Sequence, residues 1–208
     1  MFEFLENSAF FGVAISVVSY GIGMLLKKKF KLAILNPLLI SIVITIAFLA
    51  LTGISYEKYD EGAKYLNYLL TPATVCLAIP LYERWELLEK NLAAIFASIA
   101  AGVLTSLGSV LAMAWVLKLE RAHAVSFLPK SVTTAIGMGV SEELGGYVTL
   151  TVAMIIITGI FGNVIAVSVC RLFRITDPIA KGVSIGSAAH ALGTAKALEI
   201  GEVEGAMS

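Results

Sequence analysis

The sequence has few charged residues and few cysteines, and these shortages exclude several classes of protein. Asp, Glu, Lys and Arg make up 14% of the 208 residues, whereas about 25% is usual in soluble domains. The two cysteines, Cys76 and Cys170, have no metal-like spacing and lie in apolar stretches, where we expect small buried hydrophobic side chains. The net charge is zero. These features exclude secreted disulfide scaffolds, nucleic-acid binders and ordinary soluble enzymes.

Long uncharged stretches dominate what is present. Five stretches of 18 to 27 residues contain no Asp, Glu, Lys or Arg, namely 7–26, 32–56, 65–82, 91–117 and 144–170. A helix needs about 20 apolar residues to cross the hydrocarbon core of a bilayer. The sequence therefore predicts an all-α polytopic membrane protein, a single integral membrane domain over 1–208, with about five to seven transmembrane helices.

The charges around the first stretch predict its orientation. Glu3 and Glu6 precede it, which is the reverse of the polarity of a cleavable signal peptide. Four lysines follow it directly: Lys27, Lys28, Lys29 and Lys31. Positive loops stay in the cytoplasm, so we expect the N-terminus outside the cell.

The later uncharged stretches have distinctive compositions. Pro72 and Pro80 predict breaks in the stretch 65–82, because proline inside a membrane helix removes a backbone donor. Asn36-Pro37 suits a helix start, and the charged segment 56–64 is predicted to be an outside loop. The stretch 91–117 is rich in Ala, Gly and Ser, which favours a helix-packing surface over a pore lining.

Two segments mix polar and apolar residues and are too short to cross. The first polar segment, 128–146, has only 11 uncharged residues between Lys130 and Glu142. The second, 182–195, consists of the 14 uncharged residues between Lys181 and Lys196. If the first turns back, nine Lys and Arg residues lie inside and five outside; if it crosses, the numbers are six and eight. The positive-inside rule thus favours a first segment that turns back. Since the second is also too short to cross, we expect two interrupted or re-entrant segments.

The two polar segments resemble each other at an offset of 60 residues. Identical residues at this offset are Thr134 and Thr194, Ala135 and Ala195, Glu142 and Glu202, and Gly145 and Gly205. A weaker similarity at an offset of 57 relates Pro72 to Pro129. One span separates the two copies, so they would enter the membrane from opposite faces as an inverted repeat. Chance similarity in a chain rich in Gly, Ala and Thr is the alternative.

The polar side chains of these segments are the candidate binding residues. Ionisable groups at membrane depth face a protein interior or an aqueous cavity. The predicted site consists of hydrogen-bond donors that suit a small carboxylate: Lys130, Ser131, Thr133, Thr134, His190, Thr194 and Lys196. His190 could also supply a proton. The alternatives are a core histidine bonded to a carbonyl, hydroxyls that join helices, and lysines that reach the interface.

Further residues have predicted structural roles. Breaks are expected at Pro129, Gly137, Gly186 and Gly193, in addition to the two prolines above. Asp177 before Pro178 suits a helix start, and Asn163 is expected to bond across helices. Five glutamates are expected to lie at membrane-surface turns: Glu142, Glu143, Glu199, Glu202 and Glu204. No nucleophile–base pair, metal-ligand set or cofactor motif is evident, so an enzyme is not predicted.

At these segments the sequence resembles the LrgB/CidB family of bacterial membrane proteins, which also supplies the C-terminal half of the plastid glycolate/glycerate transporter. The similarity covers essentially the whole chain. It rests on Asn36-Pro37-Leu38-Leu39, on 70–82, on Leu128-Pro129-Lys130-Ser131-Val132-Thr133-Thr134 and on the run from Asp177 to Ser208.

The resemblance implies two functions. Some members are described as holin-like or antiholin-like modulators of murein hydrolases and cell lysis, which act with a small LrgA/CidA-type membrane protein. Others are similar to carriers of small monocarboxylates such as glycolate, glycerate or pyruvate. Our first expectation is a monocarboxylate carrier in the bacterial inner membrane, present as a homo-oligomer, and the alternative is a lysis regulator.

Two departures from the family pattern affect this expectation. Thr134-Ala135 stands where Thr-Thr-Pro is expected, so the first break is expected to rest on Gly137 and Gly139. The family continues with another apolar span, and from this we expect the chain to lack its final helix.

Overall fold

The computed structural model describes residues 10–30 and 35–208, and every regular element within them is a helix. The side chains of residues 67, 70 and 74 are not described. The chain divides into two compact units between Leu77 and Ala78. Each unit is a separate arrangement of packed helices.

The described residues of the first unit form four helices, in which α1 packs on both α2 and α3. They are α1 (Phe11–Phe30), α2 (Pro37–Thr52), α3 (Tyr56–Asn67) and α4 (Leu70–Cys76). Two glycines of α1 permit close approach. A Cβ at Gly12 would overlap the backbone of Tyr59 and Ala63, and one at Gly23 would lie 2.6 Å from the Pro37 carbonyl oxygen.

The expected start of α2 is confirmed. The Asn36 side chain accepts the backbone N–H of Leu38 at 2.8 Å, and Pro37 occupies the first turn, where its missing N–H is not needed. Gly53 ends the helix in the left-handed region with φ 72°. At 16 residues, or about 24 Å, α2 is shorter than α1 and than the hydrocarbon core of about 30 Å.

Two expectations for the first half of the chain are corrected. The segment 56–64 is not a loop but part of α3, which is tied to α1 by a 2.8 Å hydrogen bond between Tyr59 Oη and Ser16 Oγ. The stretch 65–82 is not one continuous helix, because helices end at Asn67 and Cys76. Pro72 and Pro80 each lie third in a short helix, where a missing N–H costs little, so the breaks lie just before them.

The second unit contains seven helices. They are α5 (Ala78–Glu83), α6 (Trp85–Val116), α7 (Arg121–Phe127), α8 (Thr134–Glu143), α9 (Val148–Leu172), α10 (Pro178–Ile200) and α11 (Glu202–Ala206). Asp177 caps α10 by accepting the Ala180 N–H at 2.8 Å, as the sequence predicts.

Three of the described helices, α1, α6 and α9, are long and apolar enough to cross a membrane. Large apolar side chains are exposed along them, for example Leu104 at 71% and Phe161 at 62%. Such surfaces are stable in lipid and costly in water. The expected polytopic helical membrane protein is confirmed. Glu3, Glu6 and Lys31 lie outside the described residues, and the orientation of the N-terminus stays a prediction.

The first polar segment forms a helical hairpin, the first hairpin (121–143). Its arms are α7 and α8, and residues 128–133 form the tip. Ser126 on one arm and Ser141 on the other both contact Thr151: Thr151 Oγ1 lies 2.9 Å from the Ser126 carbonyl oxygen and 2.7 Å from Ser141 Oγ. Because both arms contact the same residue near the start of α9, the segment enters and returns at that end.

The second polar segment lies in α10, which is bent into the second hairpin (178–200). Ala189 (φ −129°, ψ 19°) and His190 (φ 43°, ψ −141°) have non-helical dihedrals and separate two arms. Lys181 and Ile200 line one cavity beside Cys170 at the end of α9, whereas a straight helix would separate them by about 28 Å. The second hairpin therefore enters and returns at the opposite end of α9 from the first.

Both hairpins approach Ile155, near the middle of α9. A Cβ at Gly137 would overlap Ile155 Cδ1, and the Ile155 carbonyl oxygen lies 3.2 Å from His190 Nε2. Gly162 approaches the other side of the break, since a Cβ there would lie 2.6 Å from Ala189 Cβ. The two polar segments are thus opposed re-entrant hairpins, as the sequence predicts.

Contacts at the bases of the hairpins repeat at the same offset of 60. The rings of His123 and Tyr147 lie 5.0 Å apart, and the equivalent residues, Val183 and Met207, pack in one buried cluster. Equivalent contacts at equivalent positions favour a structural repeat over chance similarity in sequence.

Candidate functional site

A cavity of about 790 Å³ lies in the second unit beside the tip of the first hairpin. Its walls come from α6, α9 and the first arm of α10. The polar residues that line it are mostly hydroxyls: Ser98, Thr105, Ser106, Lys130, Ser131, Thr158, Ser184 and Ser187. Apolar positions such as Phe161 and Val183 complete the lining. A few polar groups in a largely apolar concavity are typical of a small-molecule site.

Lys130 is the cation of this cavity. Its Nζ donates to Ser106 Oγ on α6 and to Ser131 Oγ beside it, both at 3.1 Å. None of the described residues that line the cavity carries a carboxylate. A half-buried ammonium held only by hydroxyls keeps an unneutralised charge, and an anion can supply the missing partner.

The position of Lys130 follows from the local sequence. Pro129 cannot continue α7 as a helix and is buried in the tip, where its carbonyl oxygen accepts the Val132 N–H at 3.3 Å. The next helix begins only at Thr134, after the N-cap residue Thr133. Lys130 therefore lies in the non-helical tip and reaches towards α6.

Residues of α6 and α9 at equivalent positions line the same cavity. At the offset of 60, Ser98 corresponds to Thr158, Ala101 to Phe161, Gly102 to Gly162 and Thr105 to Ile165, and all eight line it. Their spacing of three and four residues places each set on one helix face. The repeat therefore extends beyond the two polar segments to the spans that precede them.

The small residues of 91–117 were interpreted from sequence as packing surface, and the structure corrects this for one face. Gly102 does pack, since its Cβ position lies 3.8 Å from Ser187 Cβ. Ser98, Thr105 and Ser106 on the same face line the cavity. Composition alone does not distinguish the two roles, because small side chains serve both close packing and open space.

The structure brings only part of the predicted binding set together. Lys130 and Ser131 line the cavity, with Ser184 and Ser187 from the second polar segment. The other predicted residues do not line it: Thr133, Thr134, His190, Thr194 and Lys196. Ser98, Thr105, Ser106 and Thr158 were missed, and extending the offset of 60 into the spans would have pointed to Ser98 and Thr158.

His190 is at the tip of the second hairpin, at the position equivalent to Lys130. Its Nε2–H donates to the Ile155 carbonyl oxygen at 3.2 Å, and a Cβ at Gly159 would lie 2.6 Å from Nε2. This is the carbonyl-bonded arrangement that the sequence left open as the alternative. Here the ring fastens the tip to α9.

Other side chains of the second hairpin also make internal contacts. The Asn163 side-chain N–H donates to the Leu192 carbonyl oxygen at 2.8 Å, the cross-helix bond that the sequence predicts. Thr194 Oγ1 lies 3.0 Å from Ser208 Oγ, and Lys196 Nζ lies 2.8 Å from Glu199 Oε2. These residues stabilise the hairpin in this conformation.

Three of the predicted helix breaks lie elsewhere. Gly137 is inside α8, and Gly186 and Gly193 lie in the arms on either side of the break at Ala189 and His190. Their role is close packing, because Cβ atoms there would overlap Ile155, Ser208 and the Ile185 carbonyl oxygen, respectively. Gly139, also expected to support the first break, likewise lies within α8.

The glutamates near the base of the second hairpin form ion pairs. Glu202 lies 2.5 Å from Arg84, and Glu204, buried at 9% exposure, lies 3.6 Å from Lys181. Glu142 and Glu143 are exposed at the end of α8, where a surface turn was expected. Among the described residues, no group of three or more His, Cys, Asp or Glu could hold a metal ion.

Two re-entrant hairpins that enter between long apolar helices from opposite ends, with a polar cavity beside their tips, define a multi-pass helical membrane protein. The chain belongs to the LrgB-like family, whose model matches residues 16–208. This confirms the resemblance seen in the sequence.

Curated relatives are similar over nearly the full chain. Antiholin-like protein LrgB of Bacillus subtilis (strain 168) is 37% identical over 202 residues, which cover 97% of this chain and 87% of that protein. Proteins of the same name from Bacillus mycoides (strain KBAB4) and Bacillus cereus (strain B4264) are 37% identical over 200 residues, or 96% of this chain and 87% of theirs. No solved structure matches the chain.

Proposed function

We propose that this protein is an antiholin-like membrane protein that restrains cell lysis together with a small LrgA/CidA-type membrane partner. The observation that carries this proposal is the similarity over 97% of the chain to relatives named antiholin-like. The open space around small residues such as Gly108 on α6 suits close contact with another membrane helix.

The test is a lysis assay in bacteria that lack their own proteins of this family. Cultures carry the chain alone, the partner alone or both, and the fall in optical density and the murein hydrolase activity of extracts are measured after a lysis stimulus. Slower lysis and lower hydrolase activity with both proteins support the proposal. Lysis unchanged by the chain in every combination contradicts it.

A second function, transport of small monocarboxylates, is favoured by the geometry of the cavity. Lys130 presents an ammonium group with hydroxyl partners only, Ser106 and Ser131, in a cavity whose described lining has no carboxylate. Its volume of about 790 Å³ accommodates a small hydroxy or keto acid with its hydration water. The Ser and Thr hydroxyls of α6, α9 and α10 offer partners for the remaining oxygen atoms.

The opposed hairpins suit such a carrier. Inverted repeats with interrupted helices beside a central site are the architecture of many secondary transporters, in which the two repeats exchange conformations. The cavity extends from the tip at Lys130 to Ile175 and Ala180 near the base of the second hairpin. On the other side, Ser126, Ser141 and Thr151 are fully buried between the hairpin arms and α9. We propose that this conformation is accessible from the base of the second hairpin.

Uptake of radiolabelled glycolate into proteoliposomes tests the transport function. Saturable uptake that falls at least about ten-fold in Lys130→Ala but is unchanged in the matched control Lys118→Ala supports it. Leakage of larger dyes at the same rate in all three proteins contradicts it. Lys130→Ala in the lysis assay then separates the functions, because a regulator that needs no substrate keeps its effect without the ammonium group.

A further inference from the structure

A second cavity, of about 570 Å³, lies at the base of the second hairpin, beside the end of α9. Three basic residues line it: Arg171 in the last turn of α9, Arg174 just after it, and Lys181 in the first arm of α10. Most of the remaining lining is apolar, with Val167 from α9, Ile175 from the connection and Ile200 from the end of α10. A basic rim around an apolar floor suits an amphipathic anion.

The charge of this site is only partly neutralised within the protein. Lys181 Nζ lies 3.6 Å from Glu204 Oε1. Within 10–30 and 35–208, neither Arg171 nor Arg174 makes an ion pair, and both are exposed. Guanidinium groups bind phosphate oxygens in bidentate geometry, which makes two of them beside one cavity a suitable pair of ligands for a phosphodiester.

The surroundings indicate where the ligand comes from. Leu172 and Phe173 lie between the two arginines in sequence and are exposed at 77% and 70%. They follow a 25-residue apolar helix that is long enough to cross the membrane. An exposed Leu-Phe pair at the end of a span is stable at the level where headgroups meet acyl chains. A free phosphate ion has no apolar groups that could pack on the exposed Leu-Phe pair or on the apolar residues of the cavity, whereas a phospholipid has acyl chains.

We propose that this cavity binds the headgroup of an anionic phospholipid, with the phosphate on Arg171 and Arg174 and the first methylene groups of the chains along Val167, Ile175 and Ile200. The site is separate from the Lys130 cavity, although Ile175 lines both. It does not depend on either function proposed above.

Lipid retention by the purified full-length chain tests the site. Protein in detergent is titrated with phosphatidylglycerol or phosphatidylcholine, and bound lipid is counted by native mass spectrometry. We expect preferential retention of phosphatidylglycerol, and a loss of affinity of about thirty-fold in the double variant Arg171→Gln, Arg174→Gln, from two basic contacts with a lipid phosphate. Arg171→Lys, Arg174→Lys keeps the charge and retains preferential binding.

The matched control lies at the opposite end of α6 and α9. Lys118 lines a cavity of similar volume there and is the one basic residue in that cavity's described lining, and Arg121 follows it at the start of α7. Lys118→Gln, Arg121→Gln removes the same charge and is expected to leave the retention of phosphatidylglycerol unchanged. Lys130→Ala is also expected to leave it unchanged, which separates this site from the transport proposal.

Three results would overturn the assignment. One is equal retention of both lipids by the unaltered protein. Another is unchanged retention of phosphatidylglycerol in the Arg171→Gln, Arg174→Gln protein, provided that it elutes as the same monodisperse species. The third is saturable binding of inorganic phosphate that displaces phosphatidylglycerol at equal concentration, which would assign the two arginines to a soluble anion.

Discussion

Lys130 and Ser106 join the first hairpin to the middle of a membrane-spanning helix, with 3.1 Å between the lysine Nζ and the serine Oγ. The two residues are 24 positions apart in sequence and lie on different elements, the tip at 128–133 and α6. The contact fixes the direction of the ammonium group inside the cavity. It is the geometric basis of the first prediction.

Ser106→Ala is expected to weaken binding of a small carboxylate without abolishing it. The hydroxyl holds the Lys130 ammonium in place, and loss of one such hydrogen bond to a charged group costs about 1.5–3 kcal/mol. The measurement is the rise in the apparent Tm produced by saturating glycolate, which is expected to shrink in the variant. Ser109→Ala, an exposed serine on the same helix, serves as the control. An equal effect of both substitutions would show that Ser106 has no special role.

Thr151→Val is expected to lower the apparent Tm of the protein. Thr151 is fully buried and its hydroxyl bonds the Ser126 carbonyl oxygen and Ser141 Oγ, so the variant leaves buried polar atoms without a partner. We expect a cost of about 1–3 kcal/mol. Thr149→Val, exposed two residues earlier on α9, is expected to leave the Tm unchanged. A similar Tm for both variants would contradict the role of this cluster in closing the first hairpin.

Gly193→Ala is expected to destabilise the second hairpin. A Cβ at this position would overlap the Ile185 carbonyl oxygen on the opposite arm and lie 3.0 Å from Ala189 Cβ. Overpacking of this kind costs about 1–3 kcal/mol. Gly108→Ala on α6 meets nothing within 4 Å and is expected to be neutral or slightly stabilising. Thermal unfolding of both variants in the same detergent decides the prediction, which fails if Gly193→Ala is as stable as Gly108→Ala.

His190 is expected to tolerate glycine better than alanine. Its φ of 43° lies in the left-handed region, where alanine is strained and glycine is not, and both variants lose the bond to the Ile155 carbonyl oxygen. The free energy of unfolding of His190→Gly is therefore expected to exceed that of His190→Ala by about 1 kcal/mol. His190→Gly should accordingly unfold at a higher temperature. The reverse order would mean that the break does not keep this backbone conformation in the membrane.

The class of fold could be predicted from the sequence because it depends on local composition. Uncharged stretches of 20 or more residues predict helices in lipid wherever they pack, and α1, α6 and α9 follow this rule. The re-entrant hairpins were also predictable, since too few uncharged residues separate Lys130 from Glu142 to cross. The helix starts at Pro37 and after Asp177 were predictable as well, because capping and first-turn proline depend only on neighbouring residues.

The candidate site was only half predictable. Lys130 and Ser131 were found because a charge in an apolar segment is conspicuous. Ser98, Thr105 and Ser106 were not, because hydroxyls are common in membrane helices and nothing local shows which face meets a cavity. His190 was conspicuous for the same reason as Lys130, yet its ring is taken up by the Ile155 carbonyl oxygen.

The sequence by itself determined the membrane class, the family, the opposed hairpins and the ammonium group at one tip. The tertiary structure alone decided which side chains share a cavity with that group, and that Arg171, Arg174 and Lys181 line one cavity with Ile200 from the far arm of the second hairpin. The physical reason is the separation along the chain over which each effect acts. Hydropathy and proline act within one stretch of the chain, whereas a cavity depends on how separate helices pack, which no single stretch encodes.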